Sequence, residues 1–219
     1  MRRFIGPPTA TIGCTALSGD RCAAGLEQHG GYTGTHQKMY VPTKLFFTRG
    51  VGIHKEKLSS FELALRSAGI AQFNLVRVSS IFPPNCKIVS RAAGLKFMKA
   101  GMIAHVVLAE AQTNEPRRLL ASSIGVAIPK DPEQFGYLSE FHGFGVTDDK
   151  AGDYAEDLAA EMFATVRGMT FDADKSWDEK REIWRISELF LKTANVTQSA
   201  LGNKDGLWTT TIAAAVLLP

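Results

Sequence analysis

Cysteine is scarce in this chain of 219 residues: Cys14, Cys22 and Cys86 are all there are, with no CxxC spacing among them. An odd count without paired spacing leaves no closed disulfide framework and points to a reduced, cytosolic protein. The histidines (His29, His36, His54, His105 and His142) stand in no HxxxH or HExxH pattern, so no metal site is expected. The longest apolar run, Ile212 to Leu218, is strand-sized. It falls far short of the roughly 18 residues a membrane helix needs, so no membrane span is expected. Excess charge of one sign is missing too: the net charge is +3 with both signs interspersed, which leaves no electrostatic footprint for nucleic acid. The chain also lacks a GxGxxG fingerprint, a P-loop and a GxSxG elbow, the usual routes to dinucleotide, nucleotide and acyl-transfer chemistry.

What remains is a globular composition, 45% hydrophobic and 21% charged, at a length that buries one ordinary core. Residues 1–38 differ from the rest. They hold seven of the 20 glycines and two of the three cysteines, with no periodic apolar segment. Arg2 and Arg3 precede no apolar stretch, so no targeting signal is read there. No packed structure is expected before Met39, either because the start lies too far upstream or because the segment is a disordered arm. Residues 39–219 are expected to form a single domain.

From Pro42 onward, strands and helices alternate. Lys44 to Arg49 reads as a strand closed by a turn at Gly50 and Gly52. Ser59 and Glu62 have capping-box spacing for a helix that Gly69 stops. Asn74 to Ile81 reads as one strand ended by Pro83 and Pro84. Ser90 to Lys99 holds a short helix, and Ile103 to Glu110, Leu119 to Ile128 and Gly136 to Phe141 are strands. Thr147 to Arg167 is the clearest helix, with Tyr154, Leu158 and Met162 recurring at i, i+4, Ala155, Ala159, Phe163 and Val166 alongside them, and Thr147 as its cap. Its many acidic residues are read as a solvated face, not a cation site. Trp184 to Asn195 and Thr209 to Leu217 close the chain as strands, and Trp177, Trp184 and Trp208 are read as packing anchors. Strands dominate and strict βαβ alternation is absent, so the fold class is α+β, or a layered α/β domain.

The chemistry-bearing candidate is Arg77-Val78-Ser79-Ser80-Ile81-Phe82-Pro83-Pro84. Serine pairs also occur at 59–60 and 122–123, but this one ends a strand whose exit two prolines constrain, where backbone strain can set a hydroxyl against a carbonyl. The segment Asn74 to Pro84 resembles the self-cleavage site of the pyruvoyl-dependent arginine decarboxylases. Further blocks resemble the same family in the same order: Phe61 to Ile70 (FELALRSAGI), Ala121 to Asp131 (ASSIGVAIPKD), Tyr137 to Glu140, Asp153 to Ala159 and Gly206 to Thr210. The resemblance spans about Val41 to Pro219.

That resemblance implies a fold, a cofactor and a reaction. The fold is a layered αββα sandwich, assembled as a trimer with active sites between neighbours. Ser80 attacks the Ser79 carbonyl, the amide becomes an ester, and elimination releases Ser79 as a new C-terminus. Residue 80 passes through dehydroalanine to a pyruvoyl group, giving a beta chain (39–79) and an alpha chain (80–219). The pyruvoyl ketone forms a Schiff base with L-arginine and takes up the electrons left by CO2, yielding agmatine for polyamine-related metabolism. By the same resemblance Glu140 is the proton donor, its pKa raised by Leu138, Phe141 and Phe144. Asn74 assists self-cleavage by hydrogen-bonding the oxyanion. Glu62, where relatives carry aspartate, binds the guanidinium. Two alternatives stay open: the same chemistry on another amino acid, or an uncleaved relative acting as a binding or structural trimer.

Overall fold

The computed structural model describes residues 40–168 and 190–219. The expected strand start at Trp184, together with Trp177 and the segment 1–38, lies outside them. Two sheets stack face to face. The first has five strands: β1 (Lys44–His54), β2 (Asn74–Arg77), β4 (Lys87–Ile88), β5 (Ile103–Thr113) and β9 (Trp208–Leu218), in the order β2-β5-β9-β1-β4. The second has four: β3 (Ile81–Phe82), β6 (Leu119–Pro129), β7 (Gly136–Phe144) and β8 (Phe190–Leu201), in the order β3-β7-β6-β8. Helices α1 (Lys57–Ala68) and α2 (Arg91–Leu95) cover the outer face of the first sheet, and α3 (Asp148–Val166) covers the second. This is the expected αββα sandwich.

Alternation along the strands builds the layers. On β5, Val107 and Ala109 face the second sheet, where they meet Ile124, Val126 and Leu138. The intervening Val106 and Leu108 face α1 and pack with Phe46, Ala64 and Ala68. Strand β9 is buried through its length and sits at the centre of the first sheet.

Two glycine readings change. β1 continues through Gly50 and Gly52 to His54 and pairs with β9 in unbroken register. A Cβ on Gly50 would lie 2.2 Å from the Ala64 carbonyl oxygen, so glycine is there because α1 packs against the strand backbone, and no turn is involved. The same constraint decides α3. Ala155 O would stand 2.1 Å from a Cβ on Gly125, so the helix backbone rests on the strand at that point. Of the expected apolar residues Ala155, Ala159 and Phe163 are buried, joined by Ala151, while Tyr154 and Val166 are exposed and Leu158 and Met162 half-buried.

The capping box also fails to form. α1 begins three residues earlier than a Ser59 cap would set it, with Glu56 as its N-cap, so Ser59 and Glu62 both lie inside the helix. Thr147 does cap α3, accepting from the Lys150 amide, and Ser90 caps the five-residue α2. The most consequential difference is at the serine pair. The single strand expected over Asn74 to Ile81 is two strands, β2 and β3, and each belongs to a different sheet.

Candidate active site

Both β2 and β3 are edge strands, so residues 78–80 carry the chain from the rim of one sheet to the rim of the other. Val78 N–H still bonds Val106 O on β5 at 3.0 Å, and Ser80 O already accepts from Leu138 N–H on β7 at 2.7 Å. Ser79 lies between those two anchors. It is exposed and Ser80 is half-buried. Neither serine has a positive φ, so the left-handed strain that such a junction allows is not used here.

A cleft of about 480 Å³ opens beside Ser79. Val78, Ile81, Pro83, Pro84 and Leu217 give it an apolar wall. Its polar wall is Tyr40 and His105, whose hydroxyl and Nδ1 lie 2.8 Å apart.

Glu140 stands two residues beyond Leu138 on the same face of β7, about 7 Å along the strand. Burial pushes its carboxyl above the usual range, while the charges of Arg77 and His142 pull it back. The side chain remains exposed by area, so the upward push is partial. Of the apolar neighbours expected to desolvate it, Phe141 points the other way and packs on Tyr154 of α3, with ring centroids 5.0 Å apart. Phe144 lies under the Arg118 guanidinium at 4.2 Å.

Glu62 and Asn74 are elsewhere in the chain. Glu62 pairs with Arg66 at 2.5 Å and lines a separate cleft with Gly69, Ala71 and Gln72. Asn74 donates to Gly101 O at 2.9 Å at the far end of β2, about 13 Å of strand rise from Val78. The single chain therefore gathers Ser79, Ser80 and Glu140, and holds Glu62 and Asn74 apart from them.

Sequence reasoning passed over several neighbours. Arg77 bonds Glu110 at 2.6 Å and reaches Glu140 electrostatically. It was visible as a charged residue in the strand before the serines, but nothing in its spacing revealed a partner. The amides of Ile81 and Leu138 leave no trace in a sequence at all.

Among the described residues no group of histidine, cysteine, aspartate and glutamate side chains could hold a metal ion, and no helix is long and apolar enough to cross a membrane. The site thus sets a serine hydroxyl next to a peptide carbonyl at an accessible sheet crossing, with a carboxyl whose pKa burial raises on the adjoining strand. The family model for pyruvoyl-dependent arginine decarboxylase matches residues 44–219, and the chain belongs to that family. A probable pyruvoyl-dependent arginine decarboxylase of Chloroherpeton thalassium is 58% identical over 180 residues, 82% of this chain and 99% of the relative. The pyruvoyl-dependent arginine decarboxylase of Nitrosopumilus maritimus is 56% identical over 178 residues, 81% and 97% of the two chains. Pyruvoyl-dependent arginine decarboxylase 2 of Methanosarcina mazei is 53% identical over the same length, with the same two shares.

The residues present fit a pyruvoyl group at position 80. Its backbone carbonyl would be held by the Leu138 amide, and its side chain is half-buried, between Ser79 and Ile81, which line the cleft.

Proposed function

We propose that the chain cleaves itself between Ser79 and Ser80 and then converts L-arginine to agmatine and CO2. The observation that carries the reading is the position of the Ser79–Ser80 peptide. It spans the rims of two sheets, anchored on either side by hydrogen bonds to β5 and β7. Both ends of a cut made there stay held by their own sheets.

The pyruvoyl group supplies a ketone that condenses with an amine and an adjoining carbonyl that withdraws electrons. The chain's residues do the rest. Leu138 N–H fixes the orientation of residue 80. Glu140, with its carboxyl shifted toward the protonated form, returns the proton after CO2 leaves. The apolar wall of Val78, Ile81, Pro83 and Leu217 lies beside Ser79, next to the residue that would carry the reacting carbon.

Glu62 is assigned to the guanidinium and Asn74 to assisting cleavage. Because both lie away from Ser80 in the protomer, they act on a neighbour's residue 80, and the working unit is a homotrimer of cleaved chains, 39–79 and 80–219. We place this protein in the cytoplasm, in polyamine-related arginine metabolism.

Intact mass of the purified protein tests the reading. Two fragments are expected, broken after Ser79, the second lacking its amino group. Ser80→Ala should remain one chain and release no CO2. A wild-type protein that stays uncut once assembled favours the non-catalytic alternative. A panel of amino acids assayed for CO2 release then decides the substrate; the Glu62–Arg66 pair makes that panel worth running.

A further inference from the structure

Three consecutive junction residues use their backbones differently. Val78 donates to β5 and the Ser80 carbonyl accepts from β7, but the Ser79 carbonyl has a partner within its own turn. Ile81 N–H donates to Ser79 O at 3.1 Å, two residues back. With negative φ at Ser80, this is the inverse form of the three-residue turn, common at strand starts.

The donor is free for this role because of where β3 lies. In an antiparallel ladder, successive residues point their amides alternately toward and away from the neighbour. Ser80 bonds to β7, so the Ile81 amide points outward, and among the described residues no strand pairs with β3 on that side.

We infer that the Ile81 amide is the oxyanion donor for the self-cleavage step, acting from within the same chain; the inference rests on the self-cleavage reading above. In that step Ser80 Oγ bonds to the Ser79 carbonyl carbon, and its proton passes to the nitrogen of residue 80. The carbonyl's π electrons move onto Ser79 O. They return as the bond from carbon to nitrogen breaks, leaving Ser79 esterified to the side chain of residue 80. Negative charge therefore builds on the atom that Ile81 N–H already holds. Such a bond strengthens and shortens as its acceptor becomes charged. Because the donor is fixed in place, nothing has to reorganise when the charge forms. Asn74 cannot supply this contact from its own chain, being spent on Gly101 O at the other end of β2.

The test deletes one hydrogen. Residue 81 is replaced by the α-hydroxy acid analogue of isoleucine, which turns the amide between 80 and 81 into an ester and removes only the N–H. Cleavage is followed by intact mass during a chase after cell-free synthesis of the full chain, with thermal melting to verify folding. Breakage of the introduced ester itself is separable by mass, since it falls after residue 80. The variant should accumulate precursor and cut about 100-fold more slowly than wild type, the scale seen when one oxyanion donor is lost. A folded ester variant cutting at the wild-type rate overturns the inference and leaves the self-cleavage reading intact. A wild-type chain that never cuts overturns both. Should the ester chain fail to fold, Ile81→Pro also lacks the amide hydrogen and is read against the same two outcomes.

Discussion

Arg77 bonds Glu110 at 2.6 Å on its own sheet while its charge reaches Glu140 on the other. Burial raises the Glu140 carboxyl, and Arg77 is the larger of the two charges opposing that rise. Replacing Arg77 by glutamine should therefore raise the Glu140 pKa further, and the unpaired Glu110 charge acts in the same direction. A proton donor is lost as pH climbs through its pKa, so the alkaline limb of kcat against pH should move to higher pH in Arg77→Gln. A limb that stays put or moves down would show that Glu140 does not set it.

Glu140→Gln keeps the side chain's size and loses the titrating proton. We expect the chain still to be cut after Ser79 and kcat to drop by about a hundredfold to ten-thousandfold, the usual contribution of a positioned acid. Mass spectrometry and CO2 release read the two effects separately. Loss of cutting together with activity would place Glu140 in processing instead.

For Glu62, the expectation concerns KM. A hydrogen bond to a charged group contributes about 1.5–3 kcal/mol, so Glu62→Gln should raise KM for arginine roughly tenfold to a hundredfold. The melting temperature should hardly move, because an exposed pair one helical turn apart, such as Glu62 with Arg66, contributes only about 0.3–0.5 kcal/mol. An unchanged KM would remove Glu62 from the substrate site.

Gly125→Ala should cost about 1–3 kcal/mol or more, since the new methyl meets the Ala155 carbonyl at 2.1 Å and α3 must lift from β6. Thermal unfolding measures it. A variant as stable as wild type would mean that the helix accommodates the methyl without loss.

Burial pushes the Cys86 thiol up to about 11. Little thiolate exists near neutrality, so alkylation by iodoacetamide should be slow in the folded protein and fast in denaturant. Equal rates in both would contradict that setting.

Much of the architecture was legible because apolar runs and apolar periodicity report which surfaces are covered. Strands β5 and β6 stood out as near-continuous apolar runs, and helix α3 by apolar residues recurring every fourth position. The failures share one cause: a residue letter records what is permitted, and two structures can permit the same letter. Gly50 serves a turn or a helix pressed on a strand equally well. Extended residues from Asn74 to Ile81 look alike whether they stay in one sheet or cross to another. For the site, the serine pair and Glu140 could be named from their family blocks. The role of Arg77 could not, because its partners lie on distant strands. The amides of Ile81 and Leu138 belong to the backbone, which every residue carries.

Placing the serine pair at the crossing has a consequence for the order of events in the life of the molecule. Everything before Ser79 includes β1, which pairs with β9 along all 11 of its residues, and α1, which seals the outer face of that sheet. Before a cut, these elements reach β9 by a search within one molecule. After it, the same search involves two molecules and depends on concentration. Under the proposed cleavage, assembly would have to come first and scission second, and the cut protein would behave as a ratchet: once melted, it would have lost the covalent link that let it fold the first time.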